Sequence, residues 1–210
     1  MPAWEWPSAG HEPEMVMQPS KLVGGLFRPL EEDERLTVLH LGVASPETMD
    51  LFSRYRCRMV VNDLFEGLPF VYEDEEEDLP LVEQFEQELA MAPDTRFDIC
   101  LFWDFFNYLD REAIAAFLAV LRPHLHAGSV AHAYAVHNLR APRVNQRYGI
   151  VNDEEVVVRP RAKPLPGYSP LPQNQLKTQL LDCFRVNRSV LLTDSRLELL
   201  LEANTNNVGR

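Results

Sequence analysis

The chain is short of cysteine, of positive charge and of long apolar runs. Its three cysteines, Cys57, Cys100 and Cys183, stand far apart with no C-x-x-C pair. So sparse and odd a set excludes a disulfide framework and reads as buried, reduced thiols in a reducing compartment. Zinc ligands lie closer together in sequence, so no metal site is expected from them. No apolar run approaches the roughly 20 residues that span a bilayer. The opening Met1-Pro2-Ala3-Trp4-Glu5-Trp6 carries acid and proline where a secretory signal has basic charge and an apolar stretch. The expected location is the cytoplasm. The formal net charge is −12, and such a surface repels phosphate backbones and anionic lipid, which speaks against nucleic-acid and membrane partners. P-loop and Ser/His/Asp signatures are absent too.

What is present suits one globular α/β domain. Of the 210 residues, 46% are hydrophobic and 25% charged, enough to bury one sizeable core. Residues 1–25 have prolines and no periodicity, predicting an irregular arm whose Trp4 and Trp6 pack on the domain or on a partner. Leu36-Thr37-Val38-Leu39-His40-Leu41, closed by Gly42, predicts a strand buried on both faces. Ser45-Pro46-Glu47 reads as a helix start, with serine at the N-cap and proline first in the helix. Arg58 to Asn62 predicts a second strand, closed by Asp63. Glu73 to Asp78 is acidic throughout and reads as a solvated loop, with divalent-cation binding as the alternative. Leu81, Val82, Phe85 and Leu89 recur at helical spacing. Phe97 to Trp103 is the clearest strand and Asp104 closes it; Asp110 then caps a helix that Pro123 stops. Ser129 to His137 predicts the next strand. Residues 138–172, rich in proline, arginine and glycine, predict a mostly irregular insert with Val156-Val157-Val158 as its one strand-like stretch. A helix over Leu176 to Leu181 and two strands joined at Asp194-Ser195 complete the chain.

Alternation of strands and helices implies a doubly wound, mostly parallel sheet, which binds ligands beyond the carboxyl ends of its strands. Gly42 and Asp63 sit at the spacing of a cofactor-facing loop and the strand-end acid that reaches a ribose. In this order, and in its closing hairpin Phe184 to Ala203, the chain resembles the class I S-adenosylmethionine-dependent methyltransferases. The resemblance covers about Leu36 to Ala203, within a single domain at 26–210. A strand expected between Asp63 and Phe97 has only Leu68 to Tyr72 as a weak candidate. Phe97 to Leu109 is similar to the segment beside the methyl donor and adenine. The resemblance implies S-adenosylmethionine as cofactor, held by Gly42, Ala44, Asp63, Leu64, Trp103, Asp104 and Phe105; it assigns no catalytic residue.

The family's loop reads acid-x-Gly-x-Gly-x-Gly, whereas this chain has His40-Leu41-Gly42-Val43-Ala44-Ser45-Pro46. Ala44 adds a methyl where backbone approaches ligand, and Pro46 removes an N–H that a ligand would use. His40, in an apolar run, reads first as a satisfied core histidine and second as a catalytic one. His132 and His137 point to opposite strand faces, which disfavours a metal site. Asp63 and Asp104 each have two readings, a ligand contact or a turn cap, and Asn107, Tyr108 and Tyr134 are candidates for contact with a methyl acceptor. Two functions remain. One is methyl transfer to a small-molecule or protein acceptor. The other is an inactive methyltransferase-fold scaffold or regulatory module, binding a protein through the arm, the insert or the acidic face. A nicotinamide-dependent dehydrogenase would need the full glycine fingerprint.

Overall fold

A computed structural model describes residues 15–27, 35–70, 79–204 and 206. Trp4, Trp6 and the acidic run 73–78 lie outside these. The main sheet has six strands: β2 (Leu36–Leu41), β3 (Cys57–Asn62), β4 (Phe97–Trp103), β5 (Leu125–Val136), β8 (Phe184–Leu191) and β9 (Arg196–Ala203). Their spatial order is β3-β2-β4-β5-β9-β8. β3, β2, β4 and β5 run parallel, while β9 is antiparallel to β5 and to β8. β2 therefore lies between β3 and β4, the point where chain order reverses and ligands bind in such sheets.

Side chains alternate between two cores, as a sheet covered on both faces requires. Leu39, Leu41, Cys100, Phe102, Ala131, Ala133, Leu199 and Leu201 point to one face. There they meet α2 (Leu81–Leu89), α3 (Arg111–Leu121) and α4 (Gln173–Leu180). Val38, Ile99, Leu101, Trp103, Tyr134 and Leu200 point to the other face. It is covered by α1 (Pro46–Phe52), a 3₁₀ turn at Val23–Leu26 and a second sheet. The caps form as the sequence predicts. Thr48 N–H donates to Ser45 Oγ at 3.2 Å, with Pro46 first in α1, and Ala113 N–H donates to Asp110 Oδ1 at 2.8 Å. Ser195 closes the last hairpin at φ 65°, a left-handed conformation that glycine adopts at lower cost.

The second sheet corrects two expectations. Residues 15–25 are not irregular: β1 (Val16–Pro19) is a strand, followed by the 3₁₀ turn. The insert 138–172 holds more than the one strand-like stretch: β6 (Gln146–Ile150) pairs with β7 (Glu155–Pro160), which contains Val156-Val157-Val158, in a hairpin, and the rest of the insert is irregular. β7 pairs antiparallel with both β6 and β1, in the order β1-β7-β6. β1 pairs with a partner some 140 positions away in sequence, which no local pattern announces. Between Asp63 and Phe97, Leu68 to Phe70 form no strand; Phe70 instead stacks on Phe85 of α2 at 4.3 Å. β3 is thus the last strand of its edge among the described residues.

β1 and its turn are fastened from below by a buried polar group. Ser20 donates to Glu198 Oε1, Lys21 N–H donates to Glu198 Oε2 at 3.2 Å, and His132 Nε2 lies 3.0 Å from Glu198 Oε1. Ser20 Oγ in turn accepts from Val23 N–H at 2.9 Å.

Candidate functional site

The loop after β2 leaves the sheet at Gly42, whose φ of 87° suits glycine. His40, fully buried, fixes it from beneath. Its Nδ1 lies 3.1 Å from the Gly42 carbonyl and its Nε2 lies 3.3 Å from Trp103 Nε1. A carbonyl only accepts and an indole N–H only donates, so Nδ1 carries the proton and Nε2 is bare. Burial holds the imidazole neutral, its pKa lowered to about 4. His40 is a satisfied core histidine. Where the resemblance expects a carboxylate facing the cofactor, this chain has a neutral ring tied to its own loop.

Beyond Gly42, at the carboxyl ends of β2, β3 and β4, stand Asp63 and Asp104. Asp63 Oδ1 is buried without a hydrogen-bond partner and lies 3.9 Å from where a Cβ on Gly42 would stand. Asp104 Oδ1 is likewise buried and unbonded. The Asp104 carboxylate makes no cap bond, whereas the Asp63 carboxylate accepts a backbone hydrogen bond from Phe65. Both turns also close through main-chain carbonyls, Glu66 N–H to Asp63 O at 3.0 Å and Asn107 N–H to Asp104 O at 3.0 Å. Burial raises the Asp63 pKa, helped by the charge of Glu66, with Arg161 and Arg147 opposing. Burial also lifts Asp104 to about 6, with Arg161 opposing.

Arg161, just past β7, projects into the space between these acids. Its guanidinium carbon lies 4.3 Å from the Phe65 ring centroid and its Nη2 is 3.9 Å from Asp104 Oδ1. Backbone and side chain both hold it, through Arg161 N–H to Asn145 O at 2.9 Å and Nε to Gln146 O at 3.0 Å. Phe65 roofs the loop, with two ring carbons 3.2 Å from the position of a Gly42 Cβ. It is buried edge-on against Phe105 at 5.3 Å and Tyr108 at 5.9 Å. On the α1 side, β6 fills the corresponding space. A Cβ on Gly149 would stand 1.9 Å from Ser45 Oγ, and Ile150 N–H donates to Thr48 Oγ1 at 2.9 Å. Tyr148 lies flat on Trp103, 5.6 Å apart with planes 17° from parallel.

The residues named for a cofactor therefore divide. Gly42, Asp63 and Asp104 converge on one crevice. Ala44 lines an open groove beside it. Leu64 and Phe105 are core side chains, and Trp103 lies under Tyr148. Asn107 braces the fold, its Nδ2 donating to Tyr134 O at 3.2 Å. Tyr134 is buried within the second core. Tyr108 meets Arg143, whose guanidinium lies over its ring at 5.3 Å and over Tyr168 at 4.8 Å. Sequence reasoning missed Phe65, Arg143, Arg161 and Tyr148. The one signal, for Arg143 and Arg161, was the arginine content of the insert.

The sheet order β3-β2-β4-β5, with an antiparallel β9 between β5 and β8, is the arrangement that the resemblance implies, short of one edge strand. The fold is methyltransferase-like.

No protein-family model matches the chain, and no curated protein does. Several solved structures are similar to it at low identity. The pyocyanin biosynthetic protein PhzM is 13% identical with a TM-score of 0.45, covering 87% of this chain, which spans only 54% of that protein. The Burkholderia thailandensis 1,6-didemethyltoxoflavin-N1-methyltransferase, solved with S-adenosylhomocysteine, is 14% identical with a TM-score of 0.47, covering 87% of this chain and 77% of its own. A TehB-like SAM-dependent methyltransferase from Corynebacterium glutamicum is 11% identical with a TM-score of 0.45, covering 86% of each chain.

Whether this crevice suits an S-adenosyl ligand has two answers. The unbonded Asp63 and Asp104 oxygens suit ribose hydroxyls and a cationic amino group. The space is shared: Phe65 packs over Gly42 and the Arg161 guanidinium stands between Phe65 and Asp104, so an adenosyl group entering there has to move the guanidinium aside.

Proposed function

We propose that this chain is a methyltransferase-like protein that keeps its cofactor crevice closed with its own side chains. In this form it serves as a binding module and not as an open methyl-transfer enzyme. One observation carries the reading: Arg161 occupies the crevice as an internal cation, stacked on Phe65 and aimed at Asp104. A guanidinium on an aromatic face beside a buried carboxylate is a favourable arrangement on the order of 1–2 kcal/mol or more when desolvated. An entering ligand must displace it. The insert that closes the crevice is also the surface such a module would present to a protein partner.

A second reading is favoured by a specific observation. Two buried, unbonded carboxylate oxygens in one crevice are costly unless something uses them. Use by S-adenosylmethionine, with methyl transfer to a small-molecule or protein acceptor, would explain why they persist. On that reading Arg161 leaves before the cofactor enters.

Calorimetric titration with S-adenosylmethionine and S-adenosylhomocysteine separates the two. The closed-crevice reading expects no saturable heat for the wild-type protein at millimolar ligand. Micromolar binding by the wild-type protein would refute it and support the second reading.

A further inference from the structure

We infer that the groove between residues 43–46 and the β6–β7 hairpin is a binding site for a small organic anion, a carboxylate or phosphate carried on an apolar body. The inference goes beyond the closed crevice, because it concerns the open space outside it. That space amounts to about 590 Å³, within the usual range for small-molecule sites. It is lined by Val43, Pro46, Met15 and Tyr148 together with Arg147 and Arg159.

The two arginines are the reason for the charge assignment. Arg147 and Arg159 are direct cross-strand partners in the β6–β7 register. Like charges directly opposite one another destabilise a strand pair unless something neutralises them. Glu47 neutralises Arg159, with Arg159 Nη1 donating to Glu47 Oε2 at 3.2 Å. Among the described residues the Arg147 side chain forms no ion pair and no hydrogen bond; the charge nearest in effect is Asp63, whose carboxyl it helps hold down. In a chain of net charge −12, an unpaired arginine next to a second one is not a by-product of a basic surface. Guanidinium forks match the planar oxygens of carboxylates and the oxygens of phosphates. The apolar half of the assignment comes from Val43, 52% exposed in the same groove. The same charges repel a sulfonium or ammonium group, so the groove selects against cationic ligands.

The test is titration of the full chain, by calorimetry, with phenyl phosphate, benzoate and inorganic phosphate. Saturable binding of phenyl phosphate or benzoate is expected, and whichever is tighter identifies the anion. Arg147→Gln should weaken it at least ~10-fold, as loss of a charge-assisted bond does. Arg188→Gln, exposed on β8 away from the groove, should leave it unchanged, and Val43→Asp should weaken it through charge and lost apolar contact. No saturable binding of either organic probe up to about 10 mM, or binding that ignores Arg147→Gln, overturns the site. Inorganic phosphate binding as tightly as phenyl phosphate overturns its apolar half. S-adenosylmethionine titrated into wild type and Arg161→Ala reports on the crevice, while the response of phenyl phosphate or benzoate to Arg147→Gln reports on the groove, so either idea can fail without the other.

Discussion

At the scale of single residues, two buried carboxyl groups oppose each other in their effect on stability. Burial holds Asp104 up at a pKa of about 6, above its unfolded value of about 4. The folded state keeps a proton that the unfolded chain releases, so Asp104 costs stability as pH rises from about 4 to 6. Asp104→Asn should therefore raise stability at pH 7, on the order of 1–3 kcal/mol, and change little at pH 4. Urea denaturation at the two pH values checks this. Glu198 behaves the other way. Burial pushes its pKa up, but the bonds from His132 and Ser20 outweigh burial and leave it below the usual glutamate range. The stability it supplies is present above its unfolded pKa and is lost as pH falls through the lowered folded value. Glu198→Ala should cost about 3–5 kcal/mol at pH 7, as removing one partner of a buried pair does. It should also flatten the acid limb of the stability–pH curve measured by the same denaturation.

At the scale of elements, the deciding contact is β6 against α1. Gly149 of β6 lies against the helix N-cap, and a methyl there would collide with Ser45 Oγ. Gly149→Ala should destabilise the protein by about 1–3 kcal/mol. It should also speed hydrogen exchange at the Ile150 amide, which bonds Thr48 Oγ1. Asp110→Ala, by contrast, removes only a cap and should cost about 1 kcal/mol by urea denaturation. The two substitutions mark the boundary of what sequence could reveal. The Asp110 cap, the Ser45-Pro46 helix start, the apolar run Leu36 to Leu41 and the strand Phe97 to Trp103 are local patterns, and each is found where the pattern points. The hairpin was hidden because Gln146-Arg147-Tyr148-Gly149-Ile150 interrupts its alternation with a glycine required by a neighbour distant in sequence. β1 was hidden because four residues, Val16 to Pro19, become a strand only when β7 offers an edge.

At the scale of the molecule, a familiar sheet carries an unfamiliar covering. Chain order locates the crevice, and Gly42, Asp63 and Asp104 lie there because strand ends must. What fills the crevice was not legible. Arg161 and Phe65 reach it from segments whose positions depend on the second sheet, and nothing in the text Pro160-Arg161-Ala162 says where the guanidinium goes. The altered loop was the only warning, and it pointed to weaker binding without naming the side chains that take the space. The direct measurement is calorimetric titration of S-adenosylmethionine into the wild-type protein and Arg161→Ala, side by side. A self-closed crevice predicts no saturable binding by the wild-type protein and measurable binding once the guanidinium is removed. Tight binding by the wild-type protein, unchanged in Arg161→Ala, would contradict it.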